Sequence, residues 1–178
     1  MNRLLRLTSS LCAATLAACA STSHLPPIER AAKVDLPRFM GDWYVIAYVP
    51  TFIDKDGYNQ IENYKLNDDG TIATTFTFRD GGYGGKPKRY TPKGFVVPGS
   101  NNAEWGMQFV WPFKGEYLIT GLADDYSSVV IARSKRDLVW LLARKPEISQ
   151  TDYDTQLARI AAMGYDLSAV KRVPQRWP

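Results

Sequence analysis

The side chains that most often carry chemistry are scarce in this chain. Its 178 residues hold one His, His24, and two Cys, Cys12 and Cys19. A His-based metal site, a Cys–His nucleophile pair and a redox dithiol therefore have almost no material. Carboxylates remain. Glu62, Glu104 and Glu116 are the acid–base candidates, but nothing at a fixed spacing pairs them. The run Gly81-Gly82-Tyr83-Gly84-Gly85-Lys86 lacks the glycine spacing of a phosphate-cradling loop, and Pro87 stands where a Ser or Thr is required. What is plentiful is aromatic surface, with 5 Trp, 10 Tyr and 7 Phe, none of them in residues 1–18. This composition favours apolar binding over catalysis and implies no cofactor.

Cys19 has the most specific context. Arg3 and Arg6 precede a short apolar run, Leu7 to Ala18. A bilayer-spanning helix needs about 20 apolar residues, so residues 1–18 read as a signal peptide. The end of that run, Leu16-Ala17-Ala18-Cys19, resembles the lipobox of bacterial lipoproteins, in which the Cys is acylated and becomes the N-terminus. An ordinary cut after Ala20 also fits a small-x-small rule and would release a soluble chain. The resemblance implies a lipid anchor at Cys19; Ala20 implies passage to the bacterial outer membrane, with the domain facing the periplasm. Cys12 leaves with the leader, so the mature chain has no intramolecular disulfide. Residues 19–35, with Pro26-Pro27, are expected to form the lipidated N-terminus and a tether reaching up to roughly 50 Å. His24 lies on that tether and is given no role. Residues 36–178 are expected to fold as one domain.

The net charge of +4 shrinks on the same reasoning. Two of the 22 cations, Arg3 and Arg6, leave with the leader, so 20 face 18 carboxylates. That balance is too even to argue for nucleic acid.

The elements that must position the aromatics are strands. Ala103, Trp105, Met107, Phe109 and Trp111 alternate with other residues, as do Ile72, Thr74, Phe76 and Phe78. A period of two places each set on one face. Eight strands are predicted, at 42–49, 58–66, 71–79, 87–97, 103–111, 115–122, 126–133 and 138–144, joined by short turns in an up-and-down meander. Trp43 to Ala47, Val129 to Ile131 and Val139 to Leu142 are apolar on both faces, so something must cover their outer side. The segment from Ser149 to Met163 is the one convincing helix. Ser149 and Asp152 resemble a capping pair, and Tyr153, Leu157, Ile160 and Ala161 share a face. The fold class is therefore all-β: a closed eight-stranded antiparallel barrel with one C-terminal helix packed outside.

Gly41-Asp42-Trp43 near the start of the first strand, a region around Asp125-Tyr126 on the turn between strands six and seven, and Arg144 ending the last strand together resemble the lipocalin family, specifically its bacterial outer-membrane lipoprotein branch. The match covers about residues 33–173. The second block departs from the commoner Thr-Asp-Tyr form, reading Asp124-Asp125-Tyr126. The resemblance implies that Trp43 and Arg144 close the barrel floor as structural plugs, and stacking a guanidinium on an indole gives about 0.5–2 kcal/mol.

An eight-stranded barrel is just wide enough for side chains or one small ligand. Phe76, Phe78, Trp105, Met107 and Phe109 are the expected cavity wall, with Trp140 added although both faces of its strand are apolar. The alternative for each is plain core filling. Loops expected at the open end and their flanks carry Lys55, Lys86, Lys88, Arg89, Lys114, Lys135 and Arg136 against Asp54, Asp56, Asp80 and Asp137, while the opposite end carries Asp68, Asp69, Asp124 and Asp125. A positive mouth, with Lys86, Lys88, Arg89 and Lys114 as its chief charges, suits an amphipath with an anionic head such as a fatty acid or lysophospholipid. The leading expectation is a non-enzymatic lipid binder, storing or transporting its ligand. A scaffold or interaction lipoprotein without a ligand is the alternative, and a lipid-modifying enzyme stands behind it. Trp111-Pro112-Phe113 or Trp177 would serve such an interaction, or a homodimer.

Overall fold

The computed structural model describes residues Leu25–Trp177. A short helix, α1 (Leu36–Phe39), precedes β1 (Gly41–Tyr48), β2 (Gly57–Leu66), β3 (Thr71–Asp80), β4 (Lys86–Tyr90), β5 (Lys93–Val96), β6 (Glu104–Val110), β7 (Phe113–Thr120), β8 (Ser128–Ala132) and β9 (Trp140–Ala143); α2 (Gln150–Ala162) and a two-residue β10 (Lys171–Arg172) follow. Neighbours in sequence pair antiparallel, and β1 pairs with β9 to close the barrel. The expected fourth strand is split. Pro92 has no N–H to give to a ladder, so β4 pairs only with β3 while β5 joins β3 to β6. Together they form one staved position, and the barrel has eight.

Two apolar layers hold the fold. Inside are Trp43, Val45, Tyr48, Tyr64, Ile72, Phe76, Trp105, Tyr117, Ile119, Val129, Ile131 and Leu142, among others. Outside, Ile46, Ala47, Leu118, Val130, Leu141 and Ala143 meet Ile160 of α2 and Tyr165. The strands that are apolar on both faces are those covered by the helix. Its first turn is capped by the Ser149 hydroxyl, which accepts from the Asp152 amide at 3.1 Å. A register shift between Val45 and Ala47 breaks the alternation in β1, turning Ile46 and Ala47 toward the helix and Tyr48 inward.

The floor is built around Trp43. The Arg144 guanidinium lies 3.8 Å over its ring and donates to the carbonyls of Asp42, Arg38 and Phe39 at 2.8, 2.7 and 3.1 Å. Trp43 in turn donates its indole N–H to Phe39 at 2.8 Å. Gly41 has φ +93°, a left-handed conformation, and an added Cβ there would sit 3.5 Å from the Arg144 guanidinium. These bonds fasten α1 across the barrel end.

Residues 25–35 lie along the barrel wall. The amide of Ala31 donates to Ile119 at 2.9 Å, that of Val34 to Asn101 at 3.0 Å, and Asn101 and Asn102 donate side-chain N–H groups to Ala32 and Val34. Ile28 and Val34 are buried, each in one of the two layers. At its upstream end the Arg136 guanidinium donates to the Pro26 carbonyl.

Candidate functional site

An open-mouthed cavity of about 470 Å³ occupies the upper barrel, within the roughly 300–1,000 Å³ range of small-molecule sites. Its wall is mainly apolar: Phe76 on β3, Tyr90 and Pro92 at the β4–β5 break, Met107 and Phe109 on β6, Tyr117 on β7, and Leu138 and Trp140 near β9. Phe52 and Ile53 of the β1–β2 loop and Val110 and Phe113 beside the β6–β7 turn form the rim.

Of the six residues expected on the wall, Phe76, Met107, Phe109 and Trp140 line the cavity; Trp105 and Phe78 do not. Trp105 has the predicted inward face but sits one layer lower. Its ring packs on Phe39, Tyr64 and Tyr117 at centroid distances of 5.4, 5.7 and 5.5 Å, and its N–H donates to Asn102 at 2.9 Å. It supports the floor and never reaches the space above. Phe78 is buried behind Phe76 and Tyr90, stacked on the latter at 6.1 Å. Phe109, at the top of its strand, is 54% exposed.

The expected mouth cations do not converge on the opening. Lys88 pairs with Asp80 at 3.5 Å, Lys114 lies 3.7 Å over the Phe95 ring, and Arg89 donates to Thr75 at 3.5 Å. With Lys86, all are absent from the cavity lining. The long aliphatic stems of Lys114 and Arg89 cover outer wall instead. The cation that does line the cavity is Arg133, missed in the sequence although it continues the inward alternation of Val129 and Ile131. One of its nitrogens pairs with Asp137 at 3.4 Å, while its Nε is buried without a partner.

The three carboxylate candidates separate. Glu104 pairs with Arg30 on the outer wall, and Glu116 binds Ser134 at the rim. Only Glu62 points into the barrel. It faces the cavity while protein surrounds it, and its Oε2 accepts from the hydroxyls of Tyr64 and, at 3.5 Å, Tyr117. Those hydroxyls also touch each other. Burial pushes the Glu62 carboxyl up to about 8, the Tyr117 hydrogen bond only partly opposing it and Asp54 adding to it. With that pKa Glu62 is mainly protonated at neutral pH and adds little charge to the deep cavity. The nearby Thr74 hydroxyl, also lining the cavity, is buried without a partner. No group of three or more potential metal ligands occurs among the described residues.

Comparison with known proteins agrees with this architecture. The model of the lipocalin-like domain family matches residues 34–175. Temperature-induced lipocalin-1 of Arabidopsis thaliana is 29% identical over 160 residues, 83% of each chain. Outer membrane lipoprotein Blc of Escherichia coli K12 is 28% identical over 170 residues, covering 93% of this chain and 94% of that one. Among solved structures, insecticyanin from the tobacco hornworm Manduca sexta superposes with a TM-score of 0.64 at 17% identity, covering 84% of this chain and 85% of its own.

Proposed function

As this chain belongs to the lipocalin-like domain family, we propose that it binds single-chain amphipaths, fatty acids or lysophospholipids, in its barrel and stores or carries them at the bacterial outer membrane, held there by acylation of Cys19. The observation that carries the reading is the cavity: apolar, open at one end and not filled by its own side chains. Each methylene buried there contributes about 0.8 kcal/mol, so the acyl chain supplies affinity. Orientation comes from the ends. Neutral Glu62 tolerates a tail beside it, whereas the unpartnered Arg133 Nε offers a charge-assisted hydrogen bond to an anionic head at the mouth. The similarity to proteins named outer membrane lipoprotein supports the location, and so does the lipobox-like sequence before Cys19.

Binding and not turnover is the proposed activity, because Glu62 is the one candidate that points into the barrel, while Glu104 lies outside it and the two carboxylates at the cavity rim are engaged elsewhere, Glu116 by Ser134 and Asp54 by Thr51. The test compares palmitate with hexadecanol by displacement of a fluorescent fatty acid. Arg133→Gln is expected to weaken palmitate about tenfold, or about 1.4 kcal/mol, and to leave hexadecanol within twofold. Equal losses for both ligands would remove Arg133 from head-group recognition.

A further inference from the structure

The rim of the barrel carries the most exposed of the large apolar side chains among the described residues. Phe52 is 91% exposed, Val110 68%, Trp111 81% and Phe113 76%. Phe52 belongs to the β1–β2 loop, Trp111 to the β6–β7 turn, and Val110 and Phe113 to the strand ends beside that turn, with Phe52, Val110 and Phe113 lining the cavity opening. Such a cluster on an otherwise well-covered domain marks a surface with a partner.

Two observations identify that partner. The first is where the described chain begins. Pro26 is bonded to Arg136, a residue of the β8–β9 loop at the open end, and Arg136 also donates to Met163 at 3.2 Å. Leu25 packs against Gly164 beside them. With residues 25–35 fixed to the wall, five residues separate Cys19 from Leu25, six chain steps that span at most about 20 Å. An acylated Cys19 therefore holds the open end close to the bilayer. The second is charge. Among the described groups at this end, the cations Lys55, Lys86, Lys88, Arg89, Lys114, Arg133, Lys135 and Arg136 outnumber the carboxylates Asp54, Asp56, Asp80, Glu116 and Asp137 by three. Asp80 and Asp137 are paired with Lys88 and Arg133, and Lys55, Lys86 and Lys135 are exposed without an ion pair. Two such rims pressed face to face in a symmetric dimer would bring like charges together. An anionic lipid surface attracts them.

We propose that the Phe52, Val110, Trp111 and Phe113 rim inserts into the interfacial region of the bilayer, so that the cavity opens onto lipid rather than onto water. Trp and Phe favour that region, and an acyl chain then passes between membrane and barrel without crossing the aqueous phase. This inference rests on the anchored, acyl-binding reading above.

The test uses the mature chain, purified in detergent and reconstituted with vesicles of phosphatidylethanolamine and phosphatidylglycerol containing a phosphatidylcholine brominated on its acyl chains. Brominated lipid is expected to quench part of the tryptophan emission. Trp111→Phe is expected to reduce that quenchable fraction at least threefold, whereas Trp177→Phe leaves it unchanged. Equal quenching in wild type and Trp111→Phe overturns the proposal. So does a Trp111 shielded from both brominated lipid and iodide, which places a second copy on the rim, and so does a chain that fails to associate with the vesicles. Palmitate binding measured on the same samples separates the two ideas, since Trp111 does not line the cavity. Loss of palmitate binding with lipid quenching retained sinks the acyl-binding reading alone.

Discussion

Raising the pH from 5 to 9 is expected to destabilise the barrel and empty its cavity, with one side chain responsible for both effects. Glu62 has a folded-state pKa of about 8 against an ordinary value near 4.5, chiefly because burial penalises its charge. Between those two values the folded chain holds a proton that the unfolded chain has released. Stability is therefore highest below pH 4.5 as far as this group is concerned, falls as pH rises through the window, and levels off above 8. The full span corresponds to a loss on the order of 5 kcal/mol. Glu62→Gln keeps the shape, cannot ionise and is expected to flatten the Glu62 part of the profile in urea unfolding at pH 5, 7 and 9.

Ligand affinity follows the same proton. Above pH 8 a carboxylate stands beside the acyl chain, and hexadecanol, which does not itself titrate, is expected to bind at least tenfold more weakly at pH 9 than at pH 7. The Gln variant should bind it equally at both. Parallel losses in wild type and variant would assign the pH dependence elsewhere.

The second large effect separates two residues that share a strand face. Trp105→Ala removes a fully buried indole that supports Phe39, Tyr64 and Tyr117. A loss of about 3–5 kcal/mol is expected, read from the urea midpoint at pH 6. Phe109→Ser, at the half-exposed rim, is expected to cost less than about 1 kcal/mol while still weakening palmitate, because Phe109 lines the cavity. If both variants lose stability equally, the floor and wall are not distinct layers.

That contrast also shows what the sequence makes legible. Alternation in β3 and β6 identifies the inward face, and Gly41-Asp42-Trp43 with Arg144 marks the two strands that close the barrel. Period two gives face but not height, so Trp105 and Met107 read alike although one is floor and the other wall. Glu62 reads as an unpaired carboxylate because Tyr117, one of its partners, is distant in sequence and reaches it only across the closed barrel. The Lys and Arg of the mouth are placed near the right end, yet Lys114 lies over Phe95, Arg89 bonds Thr75 and Lys88 pairs with Asp80, choices that no linear pattern records. The β1 bulge and the docking of residues 25–35 are likewise products of packing against elements formed later in the chain.

The central claim is that the barrel holds an acyl lipid. Its most direct measurement is mass spectrometry of organic extracts from protein purified without added detergent, compared with Met107→Lys, which places a charge on the cavity wall. The account predicts fatty acids or lysophospholipids close to one per chain in the wild type and at least a tenfold reduction in the folded variant. Wild-type protein that is folded but free of lipid, or a folded variant carrying the same lipid load, would contradict it.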